Sequence, residues 1–251
     1  GVAMGSGAAA TRAVAELVLL DGRFATLPGV VAEGRRVIAN IERSANLFIN
    51  KTVYAIVLAV AVVALGWKYP FLPRHLTIIS TFTIGVPGFF LALAPNTRRY
   101  VPGFITRVLR FCVPAGLVTG AAALLTYGLA FYAEDLTLRQ ARTAAAFVVI
   151  VIALWILAIL ARPINWWRGL LVGAMVVSVA TILAVPYRRD FYALALPSGA
   201  IVAEGAAIAV VGILLIELGW HTSRFVQRRH AAASARDDHH AARHPDGHNP
   251  E

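Results

Sequence analysis

A mainly α, polytopic membrane fold with six transmembrane helices is what this sequence predicts, on three observations. Hydrophobic residues make up 59% of the chain and charged residues 14%, and the mean hydropathy is +0.70. Several apolar runs are long enough to cross a hydrocarbon core, which takes about 20 residues. One stretch, 32–65, passes from a charged helical pattern (Glu33, Arg35, Arg36, Glu42, Arg43) into an almost wholly apolar run with only Gly34 interrupting it. Helical throughout, that stretch is about 50 Å long at about 1.5 Å per residue. It reads as a continuous rod that enters the membrane from water and carries movement of a soluble domain into the bilayer.

Residues 1–31 open with a glycine-rich turn at 1–7, continue with a short helix at 11–16, and reach the apolar run 17–20, stopped by Asp21-Gly22. A strand of an α/β layer closing at that turn is expected. So few residues do not bury a core alone, since domains below about 40 residues need a staple or a partner. With Gly rather than Met in first place, and with neither a basic leader nor a transit pattern at 1–20, the chain reads as the back part of something longer. Residues 32–45 are then a cytoplasmic stalk helix. Residues 46–220 form the six-helix membrane domain, with spans near 46–66, 76–94, 111–131, 143–161, 169–185 and 199–219. Residues 221–251, rich in His, Arg, Ala and Asp from His230 onward, form a disordered cytoplasmic tail.

The net charge of +10 suggests nucleic acid at first sight, but the basic residues lie between apolar runs. With the first segment cytoplasmic, sixteen of them fall inside (among them Arg35, Arg36, Arg43, Arg98, Arg99, Arg107 and Arg162) and six outside (Lys68, Arg74, Arg139, Arg142, Arg188, Arg189). That bias puts a multi-pass protein in the cell inner (plasma) membrane with both ends cytoplasmic, its partner the lipid bilayer and not a nucleic acid. Trp67, Tyr69, Trp166, Trp167 and Trp220 stand at span boundaries as headgroup anchors. A single cysteine, Cys112, excludes a disulfide framework within the chain and a thiolate metal cluster.

The soluble part holds no nucleophile–base pair and no metal-ligand spacing, and Gly1-Val-Ala-Met-Gly-Ser-Gly7 lacks the Lys-Ser/Thr ending of a phosphate loop. No catalytic residue, cofactor site or fixed metal site is expected here. The second span is more informative. Ser80-Thr-Phe-Thr83-Ile-Gly85-Val-Pro87 places hydroxyls and a Gly-x-Pro break in mid-membrane, and Pro87 frees the carbonyl of Thr83. Ser80, Thr83 and Pro87 share one face. Two readings stay open: oxygens that coordinate a cation, or a proline kink whose hydroxyls bond back to their own helix. On the first span Asn46 and Asn50 are i, i+4 neighbours with Thr52 close by, lining the same cavity or the interfacial end of the helix. Lys51 snorkels to the cytoplasmic edge. Of the intramembrane acids, Glu217 suits a boundary ion pair with His221 or Arg224, and Glu204 lies near the outer end as a pathway group or a partnered structural one. The tail histidines, His230, His239, His240, His244 and His248, have no fixed ligand geometry.

Gly1-Val-Ala-Met-Gly-Ser-Gly7, then Ala13-Val-Ala-Glu-Leu-Val-Leu-Leu-Asp21 and Phe24, then Glu33-Gly-Arg-Arg36 and Asn40-Ile41, resemble the end of the phosphorylation domain and the stalk helix of cation-transporting P-type ATPases. Thr81-Phe-Thr-Ile-Gly-Val-Pro-Gly-Phe-Phe-Leu-Ala-Leu-Ala-Pro-Asn96 is similar to a bacterial, calcium-pump-like branch. The resemblance covers residues 1–229 and implies a HAD-like α/β end followed by the family's fifth to tenth membrane helices. It implies an ATP-driven pump in which Glu33, Arg36 and Asn40 belong to the coupling stalk and Asn50, Thr52, Ser80, Thr83 and Pro87 to the ion pathway. The phosphorylated aspartate, the nucleotide site and the fourth helix would lie upstream, so ATP and Mg²⁺ serve the parent protein, whose upstream half is a partner of this one. The fragment alone would hydrolyse no ATP. Aligned without gaps, the family's fifth-helix ligand positions fall on Thr52 and Ala55, and the sixth-helix positions on Ser80, Thr83 and Ile84. Loss of both acids argues against a two-calcium site, because a divalent cation needs compensating negative charge. Ca²⁺ is the first expectation for the ion, with Mg²⁺ or a monovalent cation next. A secondary transporter and a non-catalytic membrane scaffold are the alternatives.

Overall fold

The computed structural model describes residues 1–93, 103–133 and 136–243, with side chains as far as Thr222. Arg98, Arg99, Pro95, Asn96, His244 and His248, all used above, lie outside the described residues.

The soluble end is a small parallel pair. Strand β1 (Val2–Met4) and strand β2 (Leu17–Leu19) are joined by helix α1 (Ala9–Val14), with Val2 opposite Leu17 and Met4 opposite Leu19. The strand expected at 17–20 is present and closes at Gly22, whose amide donates to the Leu19 carbonyl at 3.2 Å. The glycine-rich opening is not all turn: Val2–Met4 pairs as a strand, and the turn is confined to Gly5-Ser6-Gly7. Ala3 and Leu19 are the buried members of this pair.

Helix α2 (Leu27–Leu65) is the rod anticipated from the charge pattern, and at 39 residues it is about 58 Å long. It starts earlier than expected because Pro28 occupies the first turn, where a missing amide costs nothing. It stops where Gly66 turns left-handed at φ 66° and the Trp67 amide donates to the Val62 carbonyl at 3.0 Å.

The second span is three joined pieces: α3 (Pro73–Ser80), a π-helical turn (Thr81–Gly85) and α4 (Val86–Leu93). It is followed by α5 (Phe104–Tyr132), α6 (Leu138–Leu160), α7 (Trp166–Ala184), the short α8 (Pro186–Phe191) and α9 (Gly199–Arg243). Six helices are long and apolar enough to cross a membrane, Gly199–Thr222 being the sixth. A mainly α, multi-pass membrane fold therefore stands as predicted. The tail differs. Helix α9 runs to Arg243, past the point where composition suggested no regular structure, because 231–243 is rich in Ala, with Ser, Arg, Asp and His, and has no Gly or Pro before Pro245.

Helix α6 is the inner helix of the bundle, with 72% of its membrane window buried against 22% for α2. Thr137 and Gln140 box its start, each side chain satisfying the other's backbone amide. Two apolar clusters share the core. One holds Leu47, Ile84, Leu91, Phe111 and Ile156, the other Tyr54, Ile78, Tyr127 and Val149. Helices α2 and α5 approach most closely at Gly116 and Gly120. A Cβ on Gly116 would lie 2.5 Å from Val53 Cβ, and one on Gly120 2.8 Å from Val57 Cγ1. Such a pair of glycines four apart lets two membrane helices touch backbone to backbone.

Several boundary residues pack inward and do not only anchor. Trp67 meets the rings of Tyr127, Phe131 and Tyr132, and Trp220 lies edge-on to Phe111 with ring centres 5.1 Å apart. Trp166 is exposed as an anchor should be. Glu217 forms the expected boundary ion pair, though with Arg162, and it also accepts from Trp155 Nε1 at 3.1 Å and lies 3.5 Å from His221. Glu204 is exposed on α9.

Candidate ion site between the first two spans

The π-turn sets the geometry. Pro87 has no amide to give, and the Val86 amide bonds to the carbonyl of Thr81, five residues back. The second span therefore passes the proline as a widened helical turn and not as an unwound break. Turns of this kind inside membrane helices recur where side chains must be re-aimed. Here Thr83 and Ile84, both buried, face α2 and α6 across a small cavity lined by Leu47, Asn50, Lys51, Tyr54, Thr83, Ile84, Ala153 and Ile156. Its volume is about 10 Å³, at the lower limit for one water, about 10–15 Å³. The cavity lies where the two apolar clusters meet, since Leu47, Ile84 and Ile156 belong to one and Tyr54 to the other.

Polar groups around this cavity fall into three kinds. The Lys51 ammonium donates to Ser80 Oγ at 2.6 Å, so it does not reach back to the cytoplasmic edge as expected. The Thr83 hydroxyl donates to the Ile79 carbonyl at 2.6 Å, which is the back-bonded reading of that residue, and its lone pairs stay available as acceptors. Asn50 Oδ1 and Tyr54 OH are buried with no hydrogen-bond partner among the described residues. Unpartnered buried oxygens are costly, at about 1–3 kcal/mol each, and two of them on one cavity wall can be satisfied by a water or a bound cation. None of the residues lining the cavity is a carboxylate; Ile84 holds one of the positions at which the family resemblance implies a ligand.

Thr52 is not part of this arrangement. It is exposed on the other side of α2 and its hydroxyl bonds back to the Phe48 carbonyl at 3.1 Å. Asn46 is one turn nearer the stalk, bonded to the Glu42 carbonyl at 2.7 Å and accepting from Cys112 Sγ at 3.2 Å. Pro87 is buried one turn beyond Thr83 and shapes the site without contributing a donor. Lys51 as a cavity group and Tyr54 went unnoticed in the sequence. A lysine near the end of a span reads as a snorkelling residue, and one tyrosine in an apolar run reads as core. Among the described residues, no three or more His, Cys, Asp or Glu cluster as metal ligands would.

The stalk is tied to the far end of the second span. Asn40 Nδ2 donates to the Ala92 carbonyl at 2.5 Å and Arg43 Nη1 to the Leu91 carbonyl at 3.2 Å. Both acceptors are carbonyls in the last described turn of α4. Glu42 forms a two-pronged pair with Arg107 of α5 at 3.1 and 3.0 Å. Glu33 and Arg36, by contrast, pair with each other at 2.5 Å on the exposed stalk surface.

Comparison with known proteins places this arrangement in a lineage. No protein-family profile matches the chain. Over 233 residues, 88% of its length, it is 48% identical to the calcium-transporting ATPase CtpE of Mycobacterium bovis and 44% identical to that of Mycolicibacterium smegmatis. It is 24% identical over 241 residues to calcium-transporting ATPase 1 of Lactococcus lactis. The chain spans 29%, 30% and 27% of the length of these relatives.

Proposed function

Because the chain belongs to the cation-transporting P-type ATPases, in their bacterial, calcium-pump-like branch, we propose that it supplies the stalk and half of the ion pathway of an ATP-driven cation pump. The substrate is Ca²⁺, the ion named in these relatives. ATP and Mg²⁺ act on the parent protein, on a phosphorylation domain of which residues 1–31 are the end. Both chain ends are cytoplasmic. A secondary transporter or an inert scaffold is not favoured by this membership.

One observation carries the reading: Asn50 Oδ1 and Tyr54 OH, buried and unpartnered, line the same cavity as Thr83, beside Ser80, at the π-turn of the second span. Neutral oxygens of this kind are hard ligands suited to Ca²⁺, which takes 6–8 of them. Four side chains are too few, so the pathway is completed from outside these residues. Phosphorylation tilts α2. The Asn40 and Arg43 contacts carry that tilt to Leu91 and Ala92 and so along the second span to Ser80 and Thr83.

The test is ATP hydrolysis by the full-length protein in membranes, with Mg²⁺ present throughout, across Ca²⁺, Mn²⁺, Zn²⁺, K⁺ and Na⁺. Stimulation by Ca²⁺ at lower concentration than by the others is expected. Hydrolysis indifferent to every cation would contradict the proposal.

A further inference from the structure

At the end of the bundle away from the stalk, side chains of the second span and α6 grip the backbone of the turn 191–196. Arg74 Nη1 donates to the Phe191 carbonyl at 2.8 Å, Arg139 Nε to the Ala193 carbonyl at 3.1 Å and Gln140 Nε2 to the Leu196 carbonyl at 3.2 Å. The Ala195 amide donates to Thr143 Oγ1 at 2.9 Å. Ala193 is left-handed at φ 54°, a strained conformation for a residue with a Cβ, and one that lasts only where neighbours hold it. His75, the third residue of the second span, is fully buried and joins this grip. Its Nδ1 accepts from the Leu72 amide and its Nε2 meets the Ala193 carbonyl, each at 3.5 Å. The two contacts fix one neutral tautomer, in which Nδ1 is bare and Nε2 bears the hydrogen given to Ala193.

A proton on Nδ1 undoes the arrangement. The nitrogen becomes a donor facing the Leu72 amide, itself a donor, and a positive charge arises in a buried site beside Arg142 and Arg139, the second of which shares the Ala193 carbonyl with His75. The other charged and titratable side chains around it are Arg74 on its own helix, Tyr69 in the preceding loop, and Arg188, Arg189, Asp190 and Tyr192 of α8 and its end, with Asp190 paired to Arg139 at 3.4 Å. We propose that His75 is a proton-sensitive latch between the second span and the 191–196 turn. The neutral ring holds the latch; as pH falls the ring takes a proton from the medium, both bonds are lost and the strained turn at Ala193 lets go. Ser80 and Thr83 follow five and eight residues along the same span. Resting on the topology and ion-pathway readings above, His75 is thus a positioning residue that frees the outer half of that span when the outer medium is acid.

The experiment is amide hydrogen exchange in the full-length protein in detergent, read at Leu72 and Ala195 and corrected for the intrinsic effect of pH. From about pH 8 to about pH 5, the range over which histidine changes charge, both amides should lose about tenfold in protection, the weight of about one hydrogen bond, while amides along α6 keep theirs. His75→Gln, whose amide accepts from Leu72 and donates to Ala193 at every pH, should stay protected throughout. Protection that does not fall in acid, or that falls equally in a folded His75→Gln protein, overturns the inference. Should His75→Gln not fold, wild type with labelled histidine decides by NMR. A His75 ring that titrates over the interval in which Leu72 loosens supports the latch; one that titrates without loosening, or stays neutral while Leu72 loosens, overturns it. Both measurements are independent of transport, so a pump stimulated by no cation sinks the ion-pathway reading and leaves the latch to be decided by them.

Discussion

Asn50 and Thr52 are two residues apart on one helix, and about 200° of helical rotation sends them to opposite fates. Asn50 is buried with an unpartnered carbonyl oxygen at the cavity, whereas Thr52 is exposed and satisfied by its own helix. On the proposed function, removing the first oxygen takes a ligand from the pathway and removing the second takes nothing from it. In the full-length pump Asn50→Ala should raise the half-saturating Ca²⁺ concentration by about tenfold, the worth of one ligand at about 1.4 kcal/mol. Thr52→Val should leave it unchanged, and titrating ATP hydrolysis against Ca²⁺ for the two variants checks both. Both residues were legible in the sequence as polar side chains in an apolar run, but which one faces inward depends on where α5 and α6 pack. No spacing rule contains that. Lys51 shows the same limit in another form: its Cα position was legible, while the end of its side chain is placed by Ser80 on a different span.

For whole elements the sequence was more informative, because length and hydropathy act locally. All six spans and the stalk rod follow from apolar runs and a charge pattern, and the caps at Gly66 and Thr137 follow from residue type. Strand β1 was missed because three residues in a glycine-rich setting carry no period, and their pairing with Leu17–Leu19 is non-local. The π-turn was legible only as a disturbance at Gly-x-Pro, since whether a helix unwinds or widens there depends on its neighbours. The contacts of Asn40 and Arg43 were not legible as such, as their acceptors are backbone carbonyls on another helix. The α2–α5 seam yields a prediction at this scale. Gly116→Leu places a side chain where even a Cβ meets Val53 at 2.5 Å, so the seam must open. Overpacking of this kind costs about 1–3 kcal/mol or more. Gly34, on the stalk with nothing within 4 Å of a Cβ, gains about 1 kcal/mol of helix propensity on changing to Ala. Thermal unfolding in detergent should therefore show a lowered midpoint for Gly116→Leu and an equal or raised one for Gly34→Ala.

Across the whole molecule, the arrangement is a lever fixed to a bundle. Helix α6 is held on all sides, while α2 is mostly open along its membrane length, with Phe48, Ile56, Val60 and Val63 exposed. Helix α2 is tied to the second span at Leu91, Ala92 and Ser80 and to α5 at Arg107 and along the Gly116–Gly120 seam, and on the proposed function these ties pass its motion to the second span. The cavity lies between α2 and the widened turn of the second span, so on the proposed function a tilt of α2 changes the distance between Asn50 and Tyr54 on one side and Thr83 on the other.

The most direct test is to locate the ion. Crystals of the full-length protein grown in Ca²⁺, with diffraction collected at a wavelength where calcium scatters anomalously, should show a peak within coordinating distance, about 2.3–2.6 Å, of oxygens from Asn50 and Thr83 or Tyr54. A Ca²⁺ peak elsewhere in the membrane would contradict the account.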